Sequence, residues 1–154
     1  MPEIYVQKSS RNEGYWIDAA RSHKEVLMAI CDRLGEERWK ITGRLGFGCF
    51  DAEDELNLGT ITKVACLIDE YGEIITYYWY EVECILDDLQ DLFEKDYIGQ
   101  FGSFREFAVD HFRSTYGVQH GLGWALDVDA IEKWAANDHY GIEMDDDDIH
   151  IFRR

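Results

Sequence analysis

The sequence predicts an α+β fold, and three observations carry that expectation. Short apolar and aromatic runs of strand character lie near both ends of the chain. Ser22 and Ser103 each stand three residues before a glutamate, the signature of a capped helix start. Between them, apolar residues recur three and four apart. The 154 residues are 46% hydrophobic and 14% aromatic, enough to build real cores in one ordinary domain or a few very small ones.

The elements follow in order. In residues 1–59, Glu3-Ile4-Tyr5-Val6-Gln7 reads as a first strand and Tyr15-Trp16-Ile17-Asp18 as a second, with a loop over Ser9–Gly14. Ser22 caps a helix with Glu25 as its capping-box partner, and Val26, Leu27, Ile30 and Leu34 fall at helical spacing. Gly35 ends that helix. Trp39-Lys40-Ile41-Thr42 reads as a third strand, before the glycine-punctuated stretch Gly43–Gly48 and the acidic run Asp51–Glu55. This first segment is a small α+β unit.

Residues 60–98 read as helical. Ile61, Val64, Leu67 and Ile68 share one face, and Gly72 closes that helix. Tyr77-Tyr78-Trp79-Tyr80 is an aromatic cluster, suited to core packing or to a subunit interface. A second amphipathic helix is expected over Tyr80–Asp96. Its apolar stripe is Val82, Ile85, Leu86, Leu89 and Phe93, and Asp87, Asp91 and Glu94 lie at i, i+4 and i+7.

Residues 99–154 begin with an expected turn at Gly99–Gly102. Ser103 then caps a helix with Glu106, burying Phe104, Phe107, Ala108 and Phe112. A loop over Gly117–Gly123 leads to a helix capped by Asp127 or Asp129 and running through Ile131, Trp134 and Ala135. The acidic run Asp145–Asp148 precedes Ile149-His150-Ile151-Phe152, a short alternating strand.

Charge is the anomaly. Thirty-two acids face 15 Lys and Arg, a formal net charge of −17. Like charge on a compact body costs stability through self-repulsion. Halophilic adaptation, solubility, or a partner with a basic cleft would each account for it. The excess is uneven: residues 1–80 hold 14 acids and 9 bases, residues 81–154 hold 18 acids and 6 bases. That asymmetry favours a binding surface in the second half, although a solvated acidic face has the same composition. Duplex DNA carries one charge per about 1.7 Å of axis, or about 3.4 Å along each strand. Carboxylates three or four residues apart on a helix rise by about 4.5–6 Å, a comparable density.

Residues 1–20 contain charges and no long apolar run, so neither a secretory leader nor a membrane span is expected. Cys31, Cys49, Cys66 and Cys84 show no CxxC spacing and read as reduced, mostly buried thiols of a cytoplasmic protein. Catalytic motifs are absent from the reading. The histidines are scattered, Gly43–Gly48 and His120-Gly121-Leu122-Gly123 lack the lysine of a phosphate loop, and Asp145–Asp148 lacks calcium-loop spacing. The expectation is a protein that is not an enzyme and uses no cofactor or metal.

The segment Asp96-Tyr97-Ile98-Gly99-Gln100-Phe101-Gly102-Ser103-Phe104-Arg105-Glu106-Phe107-Ala108 resembles a segment of the ArdA antirestriction family. Two weaker pieces lie in register: Ile4-Tyr5-Val6 with Trp16-Ile17-Asp18, and Leu126–Ala130 running on through Trp134-Ala135 to Ile151-Phe152-Arg153. Order and spacing hold over nearly the whole chain. One departure is Gly43–Gly48, which lacks the acidic residue common in that family before its glycine-phenylalanine pair.

The resemblance implies an elongated string of three small domains (α+β, mainly helical, α+β), here 1–59, 60–98 and 99–154, pairing as a homodimer in the cytoplasm of a bacterial host. It implies a mimic of B-form DNA that occupies the DNA groove of the specificity and methyltransferase subunits of a type I restriction–modification enzyme, without binding nucleic acid or membrane itself. The expected phosphate surrogates are Asp87, Asp88, Asp91, Glu94, Asp96 and Asp110, which are dense in sequence and expected at the surface. Two other readings share the composition: a DNA-mimic decoy for another target, such as a CRISPR effector or a nucleoid protein, and an acidic module that binds basic proteins non-specifically.

Overall fold

The computed structural model describes residues 1–9, 13–35, 38–53, 57–117, 126–144 and 148–154. Among these residues the structure is α+β, with six helices and two antiparallel three-stranded sheets. The chain divides into two compact units, Met1–Cys84 and Ile85–Arg154.

In the first unit the sheet order is β2-β1-β3, with β1 Glu3–Lys8, β2 Gly14–Asp18 and β3 Trp39–Leu45. β1 is central, and its Ile4 and Val6 are fully buried, as alternation on a half-covered sheet requires. β3 runs three residues beyond its expected end, with a bulge where Tyr5 pairs with Gly43 and Val6 with Ile41. Helix α1 (His23–Leu34) covers the sheet with Val26, Ile30 and Leu34, whereas Leu27 faces outward. Its capping box is complete. Ser22 Oγ accepts from the Glu25 amide, and the Glu25 carboxylate accepts from the Ser22 amide at 3.1 Å. The Ser22 hydroxyl also donates to the Glu25 carboxylate, and that bond first, then the one from the Ser22 amide, holds the Glu25 carboxyl below its usual pKa.

Helices α2 (Leu58–Tyr71) and α3 (Ile74–Val82) complete this unit. Asn57 caps α2 and Gly72 closes it at positive φ. Ile61, Val64, Ala65 and Ile68 of α2 are buried, as are Ile74, Ile75 and Tyr78 of α3. The aromatic cluster is thus helical, with Tyr78 in the core and Tyr80 81% exposed. At Gly48, with positive φ, a β-carbon would strike the Thr76 hydroxyl, so glycine is required for the chain to pass α3.

The single helix expected over Tyr80–Asp96 does not form. Glu83 adopts the left-handed conformation (φ 50°, ψ 34°) and ends α3, its amide donating to the Trp79 carbonyl. The Trp79 indole N–H donates to the Cys84 carbonyl at 2.8 Å and ties down the chain beyond the helix end. The next helix, α4, begins only at Leu89 and runs to Asp96.

The second unit holds α4 and the sheet β4-β6-β5, with β4 Tyr97–Phe101, β5 His139–Glu143 and β6 Ile149–Arg153. Gly99–Gly102, expected to be a turn, lies largely within β4, where Gly99 sits beside a bulge opposite β6. β5 has no counterpart among the expected elements. Its Gly141 faces Ile149, whose side chain occupies the space a β-carbon would need. β6 alternates in partner but not in burial. Ile149 and Ile151 enter a core with Phe107, Ala108, Ile131 and Ala135. Phe152 packs instead with Phe93, Tyr97 and Tyr140. His150 stacks on Tyr97, whose hydroxyl lies 3.0 Å from its Nδ1. Covered on both faces, this central strand is buried from Ile149 to Phe152 and exposed at Arg153.

Helices α5 (Phe104–Tyr116) and α6 (Val128–Ala135) close one face of that sheet. Ser103 Oγ accepts from the Glu106 amide at 3.1 Å, and Glu106 reaches back to the Gly102 amide rather than that of Ser103. Asp127 caps α6 through the Ala130 amide. Phe107 and Ala108 are buried, while Phe104 and Phe112 are half-buried against the same core.

None of the four cysteines is in a disulfide, but Cys31, Cys49 and Cys66 are exposed and Cys84 is half-buried, so the expectation of mostly buried thiols is corrected. They sit outside the apolar stripes that fill the cores. The loop after Gly117 and three of the four consecutive aspartates fall in 118–125 and 145–147, outside the described residues. No helix among the described residues is long and apolar enough to cross a membrane.

Candidate partner-binding surface

Five of the six expected phosphate surrogates cluster on α4 and its approach. Leu89 and Phe93 turn inward, Phe93 against Tyr97 and Phe152, and fix which side of α4 meets the core. The opposite side presents Asp88, Asp91 and Glu94, all exposed, with Gln90 and Lys95 among them. Gln90 Nε2 donates to Glu94 Oε1 at 3.1 Å, one turn on.

The helix start changes the expected ridge. Asp87 lies in the turn before α4, and Asp88 is its N-cap, so the i, i+4, i+7 series does not run along one continuous helix. Asp88, Asp91 and Glu94 instead follow at three-residue steps, about 4.5 Å of rise each, winding around the exposed side. That is a rise along the helix axis, comparable in order with the rise of about 3.4 Å per phosphate along the axis of one DNA strand.

These acids also serve the helix. Asp91 in the first turn and Lys95 in the last complement the helix dipole. Asp88 makes no side-chain cap bond, so its carboxylate does not satisfy a helix amide. Asp96, the last residue of α4, is half-buried. The next residue, Tyr97, is pushed above the usual phenol pKa by burial.

Asp110 lies on a separate helix, α5, 3.8 Å from Arg113 one turn on. Other acids of this unit are already engaged. Arg105 reaches Asp129 at 2.8 Å and Glu132 at 3.0 Å, and Asp148 accepts from Gln100 at 2.6 Å. Exposed pairs of this kind contribute about 0–1 kcal/mol, so they neutralise charge more than they stabilise. The i, i+3 spacing of Asp129 and Glu132 is legible in the sequence, but Arg105 lies too far away in the chain to be assigned to them.

The second unit as a whole carries 16 acids and 6 bases over residues 85–154. Among the described residues, no group of three His, Cys, Asp or Glu is placed to hold a metal ion. Compared with protein-family models, with curated proteins and with solved structures, the chain has no significant match.

Proposed function

We propose that this chain is a DNA-mimic antirestriction protein, a binding protein rather than an enzyme, that competes with DNA for the groove of a type I restriction–modification enzyme. The observation that carries the reading is the run of exposed carboxylates Asp88, Asp91 and Glu94 at the start of α4 and along it, within a unit of strong acidic excess. The resemblance of residues 96–108 to the ArdA family supplies the target class. A groove built to bind phosphates binds such a lattice by charge, so affinity falls steeply as salt rises. No single acid dominates, because neighbouring charges share the effect.

With that reading come an elongated three-part chain and a homodimer in the bacterial cytoplasm. Of the helices that lie almost wholly in the segment expected to be the helical middle, α2 and α3 belong to the first compact unit and α4 to the second. Small-angle scattering and sedimentation test shape and dimerisation together.

The functional test is charge removal. The variant D87N/D88N/D91N/E94Q is expected to inhibit a type I enzyme at least about tenfold less well and with a shallower salt dependence. Equal potency and equal salt slope for variant and wild type refute phosphate mimicry by these residues.

A further inference from the structure

We propose that a cleft in the first unit, between the Phe47–Asp51 turn and the C-terminal half of α3, binds an arginine side chain of a basic polypeptide. The cleft has a volume of about 490 Å³. That lies within the range of pockets that hold small ligands and admits an extended side chain. Its walls combine two chemistries. Phe50, Trp79 and Tyr80 supply aromatic faces, and Asp51, Glu81 and Glu83 supply carboxylates.

This pairing selects a cation with an apolar stem. A cation over an aromatic face is attracted by the ring quadrupole, and carboxylates alongside complete its coordination. Arginine fits better than lysine, because its planar guanidinium stacks on rings while its donor fork meets carboxylates in pairs.

The site is held in shape before any ligand arrives. Phe50 and Trp79 are stacked with centroids 5.8 Å apart and planes 22° apart. The Trp79 indole N–H is fixed on the Cys84 carbonyl. Thr76 Oγ1 accepts from the Cys49 amide at 3.3 Å and donates to the Glu73 carbonyl at 2.8 Å, which fastens the turn to α3. Arg44 braces the same turn through the Phe50 carbonyl and stands 3.8 Å from Asp51. Among the described residues, neither Glu81 nor Glu83 has an ion-pair partner. Tyr80, 81% exposed, is a large aromatic surface with little contact from its own chain.

The inference is independent of phosphate mimicry, which concerns the other unit and carboxylates without aromatic walls. The test is an NMR titration of the ¹⁵N-labelled full chain at physiological salt with acetyl-Gly-Arg-Gly-amide and its lysine and citrulline analogues. The expected result is saturable shifts at the Trp79 indole and at the amides of residues 49–51 and 79–83, with arginine binding tightest and citrulline not saturating. Tyr80→Ala and E81Q/E83Q alter exposed side chains, and each is expected to weaken arginine binding by about fivefold to tenfold. Equal binding of citrulline and arginine overturns the proposal. So do shifts spread over the acidic surface at large, or unchanged affinity in both variants. No DNA-binding enzyme enters the measurement, so either reading can fail alone.

Discussion

His111 lies between two aromatic partners, its ring 5.3 Å from Phe107 and 5.4 Å from Trp134, with His139 edge-on at 4.9 Å. Burial lowers its pKa below 6.5, and His139 and Arg153 lower it further against an opposing pull from Asp138. The unfolded chain therefore binds more protons than the fold near this pH. The contribution of this site is fully present above about pH 6.5 and is lost as pH falls toward the depressed value. Protonation of carboxylates acts the other way at first, by relieving self-repulsion. The readout is thus a difference. His111→Phe keeps the ring stack and is expected to melt progressively higher relative to wild type as pH falls from 7 to 5. A constant difference across that range contradicts the assignment. Ser103 offers a second check at this scale: Ser103→Ala removes the cap at the start of α5 and is expected to cost about 1 kcal/mol in urea unfolding.

Among the elements, the break between α3 and α4 has the largest consequence, because it decides which acids share a helix. Glu83 is the one positive-φ residue other than glycine among those described. A side chain in that conformation costs about 1 kcal/mol relative to glycine. Glu83→Gly is expected to raise stability by about 0.5–1 kcal/mol in urea unfolding, whereas a continuous helix through this position would be destabilised by glycine. The break was hidden in the sequence because no glycine marks it and the indole bond to Cys84 depends on folded geometry. The capped ends at Ser22, Gly35, Gly72 and Ser103 were legible, and the cap of α6 was narrowed to Asp127 or Asp129, because side chain and backbone partners lie within a few residues of each other. β4 and β5 were hidden for the opposite reason. The glycines of β4 read as a turn and residues 139–143 carried no assignment, yet Gly99 sits at a bulge and Gly141 makes room for Ile149 from the neighbouring strand. Alternation in β6 gave the right strand but not its burial, since Phe93 and Tyr140 cover the second face. For the binding surface, spacing gave the density of acids. It did not give the half-burial of Asp96 or the Arg113 beside Asp110, which depend on packing.

Over the whole molecule, the net charge of −17 governs both solution behaviour and any encounter with a basic partner. Self-repulsion is screened over about 8 Å at physiological ionic strength and over about 30 Å at 0.01 M. The melting temperature is accordingly expected to rise as sodium chloride is added from low salt, and a flat or falling curve would show that repulsion does not limit the fold. The same screening weakens capture of a basic groove, so stability and binding should move in opposite directions with salt. The most direct measurement of the proposed role is a titration of the protein into a type I restriction–modification enzyme bound to fluorescent duplex DNA, at low and at physiological salt. Displacement near one dimer per enzyme, weakening at the higher salt, is expected of a DNA mimic. DNA that stays bound in the presence of a large excess of the protein at both salts would contradict it.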